Sequence, residues 1–284
     1  MSEEMERSAR SEIFGGQQHQ PGMPTRNVMK DDFDFEVPVE SVPIPTRGVV
    51  YPHDSTLHSR ETVDIKGMTA REEDILTSRA LIKKGTVITE LLRSCITDKN
   101  INPDDMLVGD RNALMTAVRI TGYGAEYNCE ISCPECGEKS KHDFDLTSLP
   151  IKRLKIEPVA DGTNTFEVEL PMTKKTIRFK FLTGNDEREM VVTQERRKKQ
   201  GMKADSLVTE RFSRQIVSVG TVNEKNKINM FVRNMPARDS LFLRKYIDDN
   251  EPGIDMTSWM VCPHCDEHSE VRLPMGATFF WPDA

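Results

Sequence analysis

The sequence has few aromatic residues, few cysteines and no long apolar run. Aromatic side chains make up 6% of its 284 residues, whereas charged side chains make up 30%. No stretch of about 18 or more apolar residues occurs, so we expect no membrane span. Residues Met1–Lys30 lack the apolar core of a secretory signal, and we expect no export by that route. The net charge of -7 argues against general binding to a phosphate backbone, and nucleic acid is therefore not an expected partner.

The sequence also lacks the motifs of common enzymes. It contains no G-x-S-x-G nucleophile turn, no H-E-x-x-H metal motif and no G-x-x-x-x-G-K-[ST] phosphate loop. Six histidines offer few candidates for a general base. An acidic sequence yields carboxylate pairs such as Asp104/Asp105 by chance, mostly at helix caps and on surfaces. We therefore expect that the protein is not an enzyme.

Four of the six cysteines form two pairs of the type C-P-x-C. The pairs are Cys133-Pro-Glu-Cys136 and Cys262-Pro-His-Cys265. A proline after the first cysteine favours a tight turn that directs both thiolates toward one point. Zinc takes four such ligands in a tetrahedron, so two turns complete one closed site. The sequence predicts a structural zinc ion bound to Cys133, Cys136, Cys262 and Cys265.

Each cysteine pair lies between two strand patterns, as in a zinc ribbon. The predicted strands are 126–132 and 140–144 around the first pair, and 257–261 and 269–273 around the second. The two pairs are 126 positions apart, so the residues between them form an insertion in the ribbon. Closing so long a loop costs about 4 kcal/mol, and structural zinc binding, at about 10 kcal/mol or more, exceeds this cost.

Other interpretations of the cysteines remain open at this point. Two disulfides would fit an oxidising compartment, although no export signal supports one. A redox dithiol is expected as a single pair beside a βαβ pattern, which this sequence does not show. Catalytic zinc keeps one coordination position open, whereas four cysteines would fill every position. His264 and His268 flank the second pair and are alternative ligands or solvent-facing residues. Cys95 and Cys129 are predicted to be small buried hydrophobes.

The chain begins with a segment that does not resemble a packed domain. Residues 1–47 are polar or alternate acidic, apolar and proline residues, a pattern typical of an extended or disordered N-terminal arm. The more specific interpretation is that Phe33, Phe35, Val37 and Ile44 lie along a neighbouring subunit, by addition of a strand.

Helical patterns dominate the next part, residues 48–124, which we interpret as a helical unit. After a short strand near 61–65, Thr69-Ala70-Arg71-Glu72 forms a capping box, and the helix that it starts is predicted to end at Gly85. Further helices are expected to hold Val87–Cys95 and Asn112–Ile120.

The insertion, residues 150–254, is predicted to be an α+β module. Its first part reads as a hairpin of 165–170 and 176–182, followed by helices near 185–200, 205–219 and 237–249. With the helical unit and the ribbon halves, 125–149 and 255–284, this gives an α+β fold class.

One dense basic run, Arg196-Arg197-Lys198-Lys199, lies in the insertion. It is either a solvated helix face or a nucleic-acid patch. Neighbouring glutamates and the absence of interleaved aromatic residues favour the solvated face. A zinc-ribbon nucleic-acid-binding or transcription-related module is accordingly the alternative function, and a metal hydrolase is the third.

The stretch from Thr46 to Leu146 resembles the T-even-like baseplate hub and hub-assembly proteins of tailed bacteriophages. The matching segments are Pro45–Pro52, Met68–Leu76, Leu107–Leu114, Arg119–Gly124 and Cys133–Gly137, and the likeness extends through the hairpin to Leu182-Thr183-Gly184. The resemblance implies a structural component of a contractile-tail baseplate, or a factor that assembles it. It also implies production in the host cytoplasm, a place in the virion, and other baseplate or hub subunits as partners.

Overall fold

The structure is a computed structural model that describes residues 35–199, 207–275 and 279–280. Helices and strands are mixed along these ranges, and the predicted α+β class is confirmed. The helices are α1 (Ala70–Thr77), α2 (Arg79–Lys84), α3 (Val87–Cys95), α4 (Val108–Tyr123), α5 (Gly184–Lys199), α6 (Leu207–Gln215), α7 (Lys225–Asn234) and α8 (Ala237–Asn250). The strands are β1 (Val39–Pro43), β2 (Thr62–Lys66), β3 (Glu126–Ser132), β4 (Lys139–Asp145), β5 (Ile151–Lys152), β6 (Phe166–Glu169), β7 (Thr176–Phe179), β8 (Ile216–Val219), β9 (Gly253–Ile254), β10 (Thr257–Val261) and β11 (His268–Arg272).

The sequence suggested that the folded part of the chain begins at residue 48, but regular structure begins earlier, at Val39. Strand β1 pairs antiparallel with β2, with Val39 opposite Lys66 at one end of the ladder. Ile44, which follows β1, is fully buried in this chain's own core and does not lie on a neighbour's surface. Residues 1–34, including Phe33, lie outside the described residues, and the contact of this arm with a neighbour stays a prediction.

The helix predicted from Thr69 to Gly85 is two helices. The capping box is present as predicted, with Thr69 and Glu72 bonded in both directions. Helix α1 ends at Thr77, whose hydroxyl bonds back to carbonyl groups one turn earlier, and Ser78 is extended. Ser78 is the C-cap of α1 and the N-cap of α2, so its extended conformation separates the two helices. Gly85 ends α2 in the left-handed conformation, at φ 68°.

Helix α4 lies at the centre of the molecule, because ten of its 16 residues are buried. It contacts β1, β2, α3, α5 and β9. Gly109 makes the approach to β9 feasible, since a Cβ there would lie 1.7 Å from the carbonyl oxygen of Pro252. A glycine in the first turn of α4 therefore allows the end of the insertion to pack against the helix backbone.

A buried carboxylate joins α4 to the N-terminal segment. Asp110 accepts hydrogen bonds from the Thr46 amide at 3.0 Å, the Thr46 hydroxyl at 2.6 Å and the Tyr51 hydroxyl at 2.6 Å. Burial raises the pKa of Asp110, and the bonds from Thr46 and Tyr51 oppose this rise. Two of the segments that carry the resemblance thus meet in the core.

The insertion leaves and rejoins the rest of the chain at one place. Strand β5 pairs with β9 through Ile151 opposite Ile254, immediately beside the ribbon strands. Strands β6, β7 and β8 form a three-stranded antiparallel sheet, here called the module sheet. The hairpin of β6 and β7 is as predicted. The helix predicted over 205–219 is wrong at its end, because the β-branched residues after Gln215 pair with β7 as β8.

The helix α7 was not expected from the sequence, and α8 lies where the pattern at 237–249 indicated. None of the helices in the described ranges is both long enough and apolar enough to cross a membrane.

Candidate metal centre

The two cysteine pairs lie at the tips of two β-hairpins. In the first, β3 pairs with β4 up to Ser132 opposite Lys139, and in the second, β10 pairs with β11 up to Val261 opposite His268. All four strands agree with the predicted ones to within one residue. The hairpins are separate two-stranded sheets, and no β-ladder joins them in the described ranges.

The two turns have the same backbone geometry. In the first, the Cys133 amide donates to Glu138 at 2.8 Å, and the Gly137 amide donates to the Cys133 carbonyl at 2.9 Å. In the second turn the corresponding bonds are 3.0 and 2.9 Å long. The residue after the second cysteine is left-handed in both turns, at φ 77° for Gly137 and φ 56° for Asp266. Glycine adopts this conformation freely and aspartate tolerates it, so the sequence supports the same turn twice.

The four sulfur atoms of the two pairs form one cluster. All of them lie within 4.8 Å of one another. Sγ of Cys133 is 3.8 Å from Sγ of Cys265, and Sγ of Cys136 is 3.7 Å from Sγ of Cys262. Four thiolates bound to one zinc ion at about 2.3 Å are about 3.8 Å apart, whereas a disulfide requires about 2.05 Å. The cluster therefore has dimensions that can bind a metal ion, and it fits a tetrahedral zinc–thiolate site.

Burial differs within each pair. Cys133 and Cys262, the first members, are 2% and 0% exposed, whereas Cys136 and Cys265 are exposed. The cluster thus lies at the surface end of the two hairpins, with one side against the core. This position allows a metal ion to enter from solvent without unfolding of the hairpins.

Hydrogen bonds and burial shift the pKa values of the clustered thiols in different directions. Hydrogen bonds from the backbone of Cys136 and Glu135 lower the pKa of Cys133 to about 7. The backbone of Glu267 lowers the pKa of Cys265, but burial and hydrogen bonding with the neighbouring thiols outweigh this effect and raise it to about 12. The hydrogen bonds of the cluster thus favour the thiolate form of Cys133 and the thiol form of Cys265. A bound cation would favour the thiolate form of all four cysteines, as zinc does in thiolate sites.

The remaining residues considered as ligands lie elsewhere. His264 and His268 are exposed and are not members of the cluster. Cys95 and Cys129 are buried, as predicted. Burial raises the pKa of Cys95 to about 12 and that of Cys129 to about 11, so neither is a reactive thiol near neutral pH.

A buried arginine connects the first cysteine hairpin to the core, and no pattern in the sequence indicated it. Arg119 of α4 is fully buried, and its guanidinium donates to the carbonyl groups of Gly124, Glu126 and Phe279 at 2.6 to 2.8 Å. These bonds join the end of α4, the start of β3 and the C-terminal segment. An arginine in a helical pattern is ordinarily expected on the surface, and its partners here are backbone atoms that no motif marks.

One arginine of the basic run makes an ion pair within the chain. Arg197 pairs with Glu210 at 2.8 Å, between α5 and α6. Arg214 of α6 pairs in turn with Glu189 of α5 at 2.6 Å. Part of the charge that suggested a nucleic-acid patch is therefore neutralised internally.

Sequence analysis missed a second cluster of metal-ligating side chains. His53, His58 and Asp161 each place one ligand atom within 4.8 Å of the other two. The histidines lie in the loop between β1 and β2, and Asp161 lies in the insertion between β5 and β6. No local spacing links Asp161 to the histidines, so a pattern search along the chain could not assemble them.

The fold and the cysteine cluster define an α+β protein in which two distant hairpins meet at a site of metal-binding geometry. A family model described as T4 bacteriophage base plate protein matches residues 50–281, which is most of the chain and includes all four clustered cysteines. The chain belongs to this family, as the resemblance implied. No curated protein and no solved structure matches the chain.

Proposed function

We propose that this protein is a non-enzymatic structural component of a contractile-tail phage baseplate, or a factor that assembles the baseplate. Membership of the base plate family is the observation that carries the proposal. The absence of common catalytic motifs from the sequence supports the non-enzymatic role. The protein acts through contacts with other baseplate or hub subunits, is assembled in the host cytoplasm and belongs to the tail of the virion.

Cys133, Cys136, Cys262 and Cys265 hold a structural zinc ion in this proposal, which makes the two hairpins the halves of one zinc ribbon. When bound, zinc supplies four metal–thiolate bonds and keeps no position open for a substrate. The hairpin turns orient the thiols through the paired backbone bonds of each turn. A clip of this kind is supported by two observations: the hairpins share no ladder in the described ranges, and the four cysteine side chains at their tips form one cluster.

The clip would fix the insertion relative to the rest of the chain. The insertion begins and ends at β5 and β9, which lie between the two ribbon hairpins in sequence. Arg119 holds β3 and the C-terminal segment to α4, and Gly109 allows β9 to pack on the same helix. The orientation of the insertion then depends on the ribbon. A structural subunit needs such a fixed orientation, because its binding surfaces must keep their relative positions.

Exposed apolar residues on the ribbon support a contact with a partner subunit. Trp259 and Val261 of β10 are 68% and 49% exposed and point to the same face of the strand, because they are two residues apart. Tryptophan is enriched at the centres of protein interfaces, where it contributes a large share of the binding energy. We propose this face of β10 as a contact with another baseplate subunit.

The function is tested in infected cells. Purified tails and baseplate intermediates are examined by quantitative mass spectrometry, with a sheath protein as reference. The chain in both fractions identifies a virion subunit, and the chain in intermediates alone identifies an assembly factor. Its absence from both fractions would overturn the proposal.

The zinc clip is tested separately, on the purified chain. Metal analysis after exhaustive dialysis should find one tightly bound zinc ion per chain. Fewer than about half a zinc ion per chain, with folding retained after chelation, would exclude a structural clip.

A further inference from the structure

A three-residue cluster of nitrogen and oxygen ligands lies apart from the cysteines. His53 and His58 come from the loop between β1 and β2, and their rings are 4.3 Å apart. Asp161 comes from the loop that begins the insertion. One ligand atom of each residue lies within 4.8 Å of the other two, which is close enough for a single ion to contact all three after small side-chain movements.

The hydrogen bonds around His58 determine which of its ring nitrogens is available. Nδ1 of His58 is 2.7 Å from the carbonyl oxygen of Tyr51. A carbonyl oxygen only accepts hydrogen bonds, so we assign the proton of His58 to Nδ1. Nε2 of His58 is left with a lone pair. A ring N–H held by a backbone carbonyl is the arrangement that fixes the tautomer and orientation of metal-binding histidines.

The same reasoning assigns the proton of His53. Nδ1 of His53 is 3.0 Å from the lone pair on Nε2 of His58, so Nδ1 is the donor. A neutral His53 ring then directs the lone pair of Nε2 toward the Asp161 carboxylate, whose Oδ2 is 3.5 Å away. Two acceptors that face each other repel, and either a proton on Nε2 of His53 or a metal cation between the two atoms removes this repulsion. Nε2 of His53 and the Asp161 carboxylate thus offer a lone pair and a negative charge to a cation, and a small rotation of the His53 ring would free the Nε2 lone pair of His58 for the same cation.

The backbone holds the Asp161 loop against the histidines. Gly162 has φ +67°, and a Cβ at this position would lie 3.2 Å from the Tyr51 carbonyl oxygen and 3.5 Å from the His53 ring. A glycine therefore permits both the turn and the close approach. The Thr163 hydroxyl closes the loop by donating to the Ala160 carbonyl at 2.6 Å. The ligands are brought together by the fold, and binding an ion requires little ordering of the chain.

We propose that His53, His58 and Asp161 bind a divalent transition-metal ion, with Zn²⁺ as the probe, at a second site independent of the cysteine cluster. Two imidazoles and one carboxylate suit zinc and its neighbours in the first transition row. Water completes the coordination, because the side chains of His53 and Asp161 are 68% and 75% exposed. The ion is therefore held more weakly than in a closed thiolate site. It would tie the first loop of the insertion to the segment that carries Tyr51.

The experiment measures zinc binding by the full chain at equilibrium. Dialysis against increasing Zn²⁺ should give two zinc ions per chain for the wild type, one tight and one weak. His53→Ala and Asp161→Asn should each keep the tight zinc and weaken the other by at least about tenfold, since each removes one of three ligands. His142→Ala and Asp54→Asn are the matched controls, because both residues lie outside the cluster, and both variants should bind two zinc ions.

Two further readouts separate this site from the cysteine site and from misfolding. In a cobalt-substituted sample, the thiolate-to-metal absorption reports the cysteines alone and should be unchanged in His53→Ala. Hydrogen exchange of residues 157–165 should slow on addition of zinc in the wild type and not in Asp161→Asn, while both chains show the same exchange without zinc. If the cysteine site fails, the thiolate absorption is missing, and His53→Ala still weakens the remaining zinc.

The proposal is overturned if the wild type and His53→Ala bind the same number of zinc ions with the same affinity. It is also overturned if His142→Ala or Asp54→Asn loses the weak zinc as fully as the cluster variants do, because binding would then not depend on this cluster.

Discussion

The two cysteine-bearing hairpins, which form the proposed ribbon, and the module sheet are both small β structures, but they bury different amounts of apolar surface. In the module sheet, Phe166, Phe179 and Phe181 are almost fully buried, with ring centroids 4.8 to 5.7 Å apart. Each ribbon hairpin buries one face of two strands, and in β3 that face consists of Tyr127, Cys129 and Ile131. Isolated two-stranded hairpins are marginally stable in water. We therefore propose that apolar burial stabilises the module sheet by itself, whereas the two ribbon hairpins gain part of their stability from the proposed zinc ion.

The largest effect is expected from the loss of one thiol in the cysteine cluster. Cys262→Ala should abolish tight zinc binding and separate the hairpins, because the alanine methyl group cannot bind zinc and only three of the four thiolates remain. Structural zinc contributes about 10 kcal/mol or more in small domains, so the variant should lose several kcal/mol of unfolding free energy. Urea unfolding and zinc content measure the effect.

Cys129→Ala is the matched control for this substitution, since Cys129 is a buried cysteine outside the cluster. It should keep one tight zinc ion. Full stability of Cys262→Ala without zinc would contradict the contrast between the two β structures.

A smaller effect is expected from the module sheet. Phe179→Ala removes the ring that contacts both Phe166 and Phe181, and a buried Phe→Ala change costs about 3–5 kcal/mol. Tight zinc binding should be unchanged, because the sheet is remote in sequence from the cysteines. Thermal unfolding measures the loss of stability, and the thiolate-to-cobalt absorption shows whether the cysteine site still binds metal.

Phe35→Ala provides the control, because Phe35 is exposed, and its replacement should change stability by less than about 0.5 kcal/mol. If Phe179→Ala also released the tight zinc, the stability of the module sheet and zinc binding at the ribbon would be coupled, contrary to this prediction.

In a third region, the N-terminal helical unit, an electrostatic contribution to the free energy of unfolding is expected to depend on pH. Burial raises the pKa of Glu72, but hydrogen bonds from Ser94, Thr69 and Lys66 outweigh burial and lower it to about 2. The folded-state pKa lies below the ordinary value of 4.5, so the stabilisation is present above pH 4.5 and is lost as the pH falls toward about 2. Glu72→Gln should therefore lose roughly 1–3 kcal/mol at pH 7 and converge with the wild type near pH 2.

The measurement is the difference between wild type and variant in urea unfolding across this pH range, so that effects common to both chains cancel. Asp74→Asn, an exposed change on the same helix, should leave the difference near zero at every pH. A Glu72→Gln difference that is constant from pH 7 to pH 2 would remove the electrostatic explanation.

The sequence predicted the ribbon hairpins well because their signals are local. Alternation in β3 and the proline of each cysteine pair determine strand and turn within about ten residues. Gly85 and the Thr69 capping box fixed two helix ends for the same reason. The break at Ser78 was not predicted, because the apolar spacing continues through it and no glycine or proline marks the position.

Features that depend on contacts between distant segments could not be predicted. The residues of β8 follow a helical pattern, and they become a strand because the edge of β7 is available to pair with them. Arg119 is buried because backbone carbonyl groups from two other segments surround its guanidinium. His53 and Asp161 meet through the turn at Gly162, and neither residue carries a motif of its own. In each case the determining partner is set by the tertiary fold.

The smallest effect on stability, and the sharpest test of what the ribbon is for, is expected at Trp259. The side chain is 68% exposed, so Trp259→Ala should change the unfolding free energy by less than about 0.5 kcal/mol and leave zinc bound. Incorporation into baseplates, measured by competition with wild type in infected cells, should nevertheless fall, because an interface tryptophan contributes about 2 kcal/mol or more. Met172→Ala, at another exposed apolar residue in the β6–β7 turn, should incorporate normally. Normal incorporation of Trp259→Ala would mean that the ribbon serves the shape of the subunit and not its contact with a neighbour.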